Sequence, residues 1–465
     1  MAQKKPNLIF IGIDSLRRDH MSLYGYKHQT TPHMSRFAEG GTVFENCFSP
    51  HVPTTSGYGS MFTGRDCFGN NIVALRHKGD IAEGVPTLAE VLNNEGYNTT
   101  SVGFRNTAAR GFQNYIDFSG WGPDPNRGDG RSHKAENAND ACLPELRRLA
   151  KEDKPFYMLV RHMDPHSPYL PPAPFDRMFY NNADMCDPAN KSMDPVFTFK
   201  PFCDYLASWM PPGLTDKDYV LAQYDGAVAY MDACIQRIFA EITALGLDEN
   251  TLVVIDSDHG ETLYDHDCYF DHHGIYDPTL VVPLVFRMPG RVPAGKRIGT
   301  NCLLQDVMPT VLDILGVKNS IQFDGQSLVG EMNGQTRVGA TEFYITECTW
   351  MRKHGWRTPQ WKYIHALEPD FHFKPEIELY NLIDDPDENN NIAEKEPAVV
   401  ALLEARMQAW IAKREKETGR TNPMYTQGDW SGCGAPFKTS QQAYDSLHIG
   451  DVGTAQKLQA RAPKA

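Results

Sequence analysis

The sequence predicts an α/β protein: a mainly parallel sheet with helices on both faces, followed by a smaller antiparallel sheet carrying one helix. Three observations lead there. Strand-like runs alternate with helix-like segments over the first 330 residues. The runs are continuously apolar rather than alternating, which suits strands covered on both faces. Several of them end in an acid or a histidine, and ligands bind at the carboxyl ends of the strands in such sheets.

The elements follow in order. "NLIFIGID" (7–14) is a buried strand ending in Asp14. "VPTLAEVLNNEGYNTTSVGF" (85–104) is a helix from about Thr87 to Asn94, a stop at Gly96, and a second strand. "KPFYMLVRHMDPHSPYLPP" (154–172) is a strand that breaks into a Pro-rich loop. "YVLAQYDGAVAYMDACIQRIFAEITALGL" (219–247) is a long helix, with apolar positions recurring at three and four residues and an end at Gly246. "TLVVIDSDHGE" (251–261) and "LVVPLVFRMPG" (280–290) are further strands.

Beyond about residue 330 the texture changes. "TEFYITECTW", "QWKYIHAL" and "IELYNLI" read as short antiparallel strands, and "PAVVALLEARMQAWIAKREKE" as an amphipathic helix. This gives a catalytic domain at 1–330, an α+β subdomain at 331–412, and an extended tail at 413–465, polar and without periodicity. The tail reads either as an arm that embraces a second copy of the chain in a homo-oligomer or as a disordered segment.

Bulk properties narrow the function. With 465 residues, 41% hydrophobic and 22% charged, the chain can bury a sizeable core. A formal charge of −14 argues against a nucleic-acid partner. An anionic small substrate stays open, because a local cation can dominate a site. The ten cysteines are scattered, with no CxxC pair. The apolar run near the start is short for a signal segment and no run reaches ~18 residues, so a cytoplasmic protein with no membrane partner is expected.

The chemistry gathers at strand ends. Asp14 alone reads as a turn or cap acid. Asp258-His259, in "DSDHGE", is a plausible pair of metal ligands. Between them lies "HVPTTSGYGSMFTGRD" (51–66), where Thr54 and Thr55 precede two glycines. Capping a helix is the commoner fate of such a pair. A divalent cation held by Asp14, Asp258 and His259 would instead make Thr54 a nucleophile by lowering its pKa. Gly57 and Gly59 would let the backbone approach an anionic substrate. His162 and His166 in "RHMDPHSPY", and His272 and His273 in "DCYFDHHGIYD", can bind an anion, protonate a leaving oxygen or complete a second metal site. Asp164 is a further candidate ligand. Trp121, Tyr169, Phe202 and Trp209 lie in or beside two long loops, 105–140 and 172–215, where ordinary packing is the commoner fate and contact with a ring or a sugar the alternative.

These residues resemble the sulfatase family of the alkaline phosphatase superfamily. The similar stretches are "NLIFIGIDSLRRDHMSLYGY", "TPHMSRFAEGGTVFENCFSP", "SMFTGR", "HMDPHSPY", "NTLVVIDSDHGE", "HHGIYDPTLVVPLVFRMPG", "QDVMPTVLDILGV" and "WKYI…ELYNLIDDPDENNNIA", from about residue 6 to 412. The resemblance implies an alkaline-phosphatase-like α/β/α sandwich and an ester hydrolase with at least one divalent ion, Mn, Ca, Mg or Zn. Sulfatases normally oxidise a Cys or Ser in C-x-P-x-R to formylglycine, nine residues before the Thr of the T-G pair. Here that place holds Thr54, the Pro place Ser56 and the Arg place Tyr58. Threonine cannot become formylglycine, so none is expected. Ser15 replaces the second N-terminal acid, Gly103-Phe104-Arg105-Asn106 replaces G-K-W-H, and His272 stands where a lysine is usual. A threonine nucleophile and "D-H-G-E" resemble instead the phosphodiesterase, phosphoglycerol or phosphoethanolamine transferase and phosphonate monoester hydrolase branches.

The expected activity is therefore metal-dependent hydrolysis of a small-molecule or saccharide phosphoric ester. Thr54 is the nucleophile, His166 and His272 are catalytic, and Asn106, His162, His273 and Tyr58 contact substrate. A sulfatase with an unconverted nucleophile is the alternative. A non-catalytic anion- or carbohydrate-binding relative is the third reading.

Overall fold

The computed structural model describes residues 4–427, apart from 76, 78, 104–106, 125–126, 183, 350 and 369–371. Its main sheet contains β1 (Asn7–Ile13), β2 (Thr42–Phe48), β4 (Asn98–Val102), β5 (Asn114–Ile116), β6 (Phe156–His162), β7 (Thr251–Ser257), β8 (Val281–Arg287), β9 (Lys296–Ile298) and β10 (Cys302–Leu303), with β3 (His51–Val52) in a second sheet. The spatial order is β10-β2-β8-β7-β1-β6-β4-β5, with β9 also on β2. β5, β4, β6, β1 and β7 run parallel, whereas β8 is antiparallel to both β7 and β2.

The apolar run of β1 is explained by burial on both faces. Ile9, Ile11 and Ile13 point into one core, with the long helix over Lys217–Ala244 and the helix over Lys134–Leu149. Leu8 and Phe10 point into the other, where Tyr58, Met61 and Phe62 of the helix over Thr54–Thr63 meet Val311 and Leu312. Alternate residues of one strand thus feed two cores, as the period of two requires. The expected helix after residue 85 runs over Leu88–Asn94 behind a Thr87/Glu90 capping box.

The second sheet has the order β14-β13-β12-β11-β3, adding β11 (Phe343–Cys348), β12 (Arg352–Arg357), β13 (Trp361–Ala366) and β14 (Ile377–Asn381). It is antiparallel except where β3 joins β11. The helix over Pro397–Thr418 buries Leu403, Met407 and Ile411 against it. Two expectations change here. The boundary at 413 falls inside this helix, which continues to Thr418 because its buried stripe extends to Ile411 and Arg414; a short helix then follows at Pro423–Thr426. β3 comes from the residues just before Thr54, so the second sheet is not purely C-terminal. The rest of the tail lies outside the described residues. No described helix is long and apolar enough to cross a membrane.

Candidate active site

Parallel register brings the first ligands together. β1 pairs with β7 so that Ile13 faces Ser257, and with β6 so that Ile13 faces His162. Asp14 and Asp258 each lie just past a strand end, held by Asp14 N donating to the His162 carbonyl (3.0 Å) and Asp258 N to the Ile13 carbonyl (3.3 Å). Ser15 takes a left-handed conformation (φ 61°), and its N–H donates to Asp258 Oδ1 at 3.3 Å.

Asp14, Asp258 and His259 each offer one ligand atom, all within 4.8 Å of one another, and all three residues are buried. His259 Nδ1 lies 2.7 Å from the Gly260 carbonyl, which can only accept. The ring proton is therefore on Nδ1, and the Nε2 lone pair faces Asp14 Oδ1 and Asp258 Oδ2, both at 3.7 Å. Thr54 Oγ1 is 3.1 Å from the same Nε2.

The electrostatics fit a cation. Burial pushes the Asp258 carboxyl well above the usual carboxylate range, and the Asp14 charge pushes it further. Its Oδ2 is buried without a hydrogen-bond partner. Burial also raises Asp14, but Arg161 and the imidazoles of His166 and His259 more than offset it and hold the carboxyl low. His259 is driven down to about 3 by burial and stays neutral, as a ligand must. Two crowded buried carboxylates, an orphan oxygen and a neutral imidazole are what a divalent ion resolves.

Thr54 is the first residue of a ten-residue helix whose N-cap is Pro53, and no side chain caps it. Thr54 and Thr55 are therefore not caps: Thr55 Oγ1 donates to the Leu75 carbonyl at 2.9 Å, leaving Thr54 for the site. The helix N-terminus favours negative charge there. The two glycines do not serve a substrate either. A Cβ on Gly57 would lie 2.4 Å from the Asp258 carbonyl oxygen, and one on Gly59 would lie 3.3 Å from Ile72. Gly57 lets the helix press against the Asp258 turn, on the side of the Thr54–His259 contact, and Gly59 lets it lie close to Ile72.

Other expected contacts are redistributed. His166 and His272 do approach: the rings of His259 and His272 are 4.7 Å apart, and those of His166 and His272 are 5.6 Å apart. His166 Nδ1–H donates to the Ser167 carbonyl at 2.7 Å. Burial would lower His272, yet Asp271 (Oδ1 3.0 Å from Nδ1) and Glu261 push it up to about 10. Tyr58 turns inward, 1% exposed, with the Arg161 guanidinium over its ring at 5.2 Å. His162 is fully buried, neither nitrogen has a hydrogen-bond partner, and burial lowers it to about 4, outside the Asp14 cluster. His273 pairs with His372 (3.0 Å) instead. Asp164 accepts from Ala135 N (3.0 Å) and sits 3.3 Å from Lys134 Nζ, so it secures the His166 loop rather than a metal. Tyr169 and Trp209 pack on each other, 5.4 Å between centroids. Asn106 lies outside the described residues.

Sequence reasoning missed Arg161, whose Nη2 donates to Asp14 Oδ2 at 2.6 Å. It stands opposite Gly12 across the β1–β6 ladder. An arginine near the strand end, two register steps before the ligand, was the available signal. Glu261 and Asp271 were also missed, although both lie in the quoted motifs.

Comparison with known proteins bears on the family and the fold. The sulfatase family model matches residues 6–317, and the model of the C-terminal part of N-sulphoglucosamine sulphohydrolase matches residues 265–416. An N-acetylglucosamine-6-O-sulfatase from Bacteroides thetaiotaomicron is 26% identical over 490 aligned positions, covering 86% of each chain. The phosphonate monoester hydrolase of Agrobacterium radiobacter superposes with a TM-score of 0.69 at 20% identity, covering 88% of this chain and 96% of that one. A structure solved with its substrate D-glucosamine-2-N,6-O-disulfate gives 0.69 at 21% identity, covering 90% and 99%. A family match over more than half the length, on a fold shared with such hydrolases, makes this chain a member of the sulfatase family within the alkaline phosphatase superfamily.

Proposed function

We propose that this hydrolase cleaves phosphoric or phosphonic esters by in-line attack of Thr54. The observation that carries the reading is the Thr54 hydroxyl, 3.1 Å from His259 Nε2 beside two buried carboxylates, at a position that cannot carry formylglycine. Asp14, Asp258 and His259 would hold the ion, which when bound supplies Lewis acidity at the hydroxyl and at the ester oxygens. Thr54 Oγ1 bonds to phosphorus as the ester oxygen leaves on the opposite side, and its own proton passes to solvent. Of the two imidazoles beside His259, His272 is held protonated by Asp271 and Glu261, so it counters charge on the equatorial oxygens and protonates the leaving oxygen, while His166, neutral with its Nδ1 proton on the Ser167 carbonyl, offers Nε2 as a proton acceptor for the attacking water. Water then cleaves the phosphothreonine and returns a proton to Thr54. Arg161 keeps Asp14 ionised and in place.

A saccharide ester suits the entrance. Trp121 is 55% exposed with its ring 5.2 Å from His166, a flat apolar face beside the reacting groups. The family and the similarity to named sulfatases favour a second reading, a sulfate ester attacked by the same threonine. It ranks lower because a sulfothreonine lacks the elimination route open to a gem-diol. A panel of aryl phosphodiester, phosphonate monoester and sulfate, with and without chelator, separates the two. Chelator-sensitive turnover greatest on a phosphorus ester is expected. Faster turnover of the sulfate would overturn the first reading.

A further inference from the structure

We propose that Lys134 is a positioning residue: its buried ammonium holds the backbone of the His166 loop, and with it the imidazole that accepts the proton of the attacking water. Lys134 opens the helix over Lys134–Leu149 and is 2% exposed. Its Nζ donates to the His166 carbonyl at 2.5 Å and to the Pro168 carbonyl at 3.4 Å, and lies 3.3 Å from Asp164 Oδ1. The three protons of the ammonium thus meet three acceptors, all within residues 164–168.

The placement is costly. A cation in the first turn of a helix opposes the helix dipole, and taking an ammonium out of water is unfavourable unless it is paired. The helix end does not need it. Asp164 serves that end alone, its Oδ2 accepting from Ala135 N at 3.0 Å. Asp164 also balances the charge of the lysine, yet the shortest contact of the ammonium is to the His166 carbonyl and not to the carboxylate. Buried loop carbonyls can only accept and must find a donor. Lys134 is that donor for two of them.

The carbonyl between those two orients the ring. His166 Nδ1–H donates to the Ser167 carbonyl at 2.7 Å, and Lys134 grips the carbonyls of His166 and Pro168 on either side of it. The Ser167 side chain is fixed separately, its Oγ 2.9 Å from the Tyr205 hydroxyl. Without the ammonium the Ser167 peptide can turn, and Nε2 of His166 leaves its line to the reacting centre. This displacement spares the first step, the attack by Thr54. It slows the second, the attack of water on the phosphothreonine, so the covalent enzyme should accumulate. The kinetic consequence rests on the proposed phosphoryl chemistry, but the positioning of His166 does not.

Lys134→Met and Asp164→Asn, each in the full Mn²⁺-loaded chain, test it. An aryl phosphodiester is mixed rapidly with enzyme, and acid quench reads the phosphothreonine at residue 54. In Lys134→Met dephosphorylation should slow ~10²-fold, the loss that a misplacement of about 1 Å brings, while the initial burst of aryl alcohol slows much less. Most chains should then carry the adduct at steady state. Asp164→Asn leaves the lysine on both carbonyls and should raise the adduct far less. Equal rises in the two variants point to the ion pair alone and overturn the inference, as does a wild-type adduct level in Lys134→Met. Lys134→Gln, too short to reach both carbonyls, carries the same expectation at smaller size if the methionine variant does not fold. No adduct in any chain, wild type included, tells against the Thr54 reading instead. Crystal structures of the variants then decide: the His166 ring should shift while His259 and His272 stay in place. A ring within ~0.5 Å of its wild-type position overturns the inference whatever the chemistry.

Discussion

Replacing Thr54 by alanine removes the hydroxyl and one methyl and leaves the surroundings in place. The hydroxyl's hydrogen-bond partner is His259 Nε2 at 3.1 Å, and it caps no helix. The fold therefore loses little: deletion of a methyl and a hydroxyl from a mostly buried residue costs on the order of 1 kcal/mol. Catalysis loses much more. Asp14, Asp258, His259 and Arg161 remain to bind an ion and polarise an ester, but any attacking water is no longer tethered. Losing a positioned nucleophile costs at least ~10³-fold in turnover, about 4 kcal/mol of barrier. Thr54→Ser keeps the oxygen but frees its rotamer, which the β-branched side chain restricts, and so should retain far more activity than alanine. The assay is steady-state turnover of an aryl phosphodiester by Mn²⁺-loaded protein. It is paired with acid quench and accurate-mass analysis of the peptide carrying residue 54, where a phosphoryl adduct should appear in wild type and Thr54→Ser only. A Thr54→Ala enzyme within ~10-fold of wild type, folded and metal-loaded, would refute nucleophilic attack by this residue.

Further outcomes follow from single contacts. Arg161→Gln strands the buried Asp14 carboxylate, so the metal-free protein should lose ~3–5 kcal/mol; Mn²⁺ should restore part of this by taking the guanidinium's place, as read by urea unfolding with and without metal. Gly57→Ala drives a Cβ to 2.4 Å from the Asp258 carbonyl, and should cost ~1–3 kcal/mol and most of the turnover. Gly59→Ala, whose nearest contact is 3.3 Å, should be milder on both counts by thermal melt and kinetics. His51, lowered to about 4 by burial, stays neutral in the fold and accepts or donates to Thr346 Oγ1 at 3.0 Å. Its folded pKa lies below its unfolded value near 6.5, so its share of stability is complete above that pH and is lost as pH falls toward 4. The unfolding free energy from denaturant titrations should fall over this window, by up to ~3 kcal/mol at its foot, and less in His51→Gln.

Much of this molecule is legible in its residues in order. The apolar run at 7–13 can only be a doubly covered strand, because both of its faces meet core. An acid after it and "DSDHGE" after β7 fall at one sheet edge, because parallel strands share a direction. That placed Asp14, Asp258 and His259 together before any distance was known. Tertiary structure decided what chain order does not encode. It drew β3 into the distant second sheet and so fixed the approach to Thr54. It gave Gly57 to helix packing, turned Tyr58 beneath Arg161, and sent His273 to His372. A side chain's role there depends on which of its neighbours, remote in sequence, reaches it first at hydrogen-bonding range. Local propensity carries no record of that.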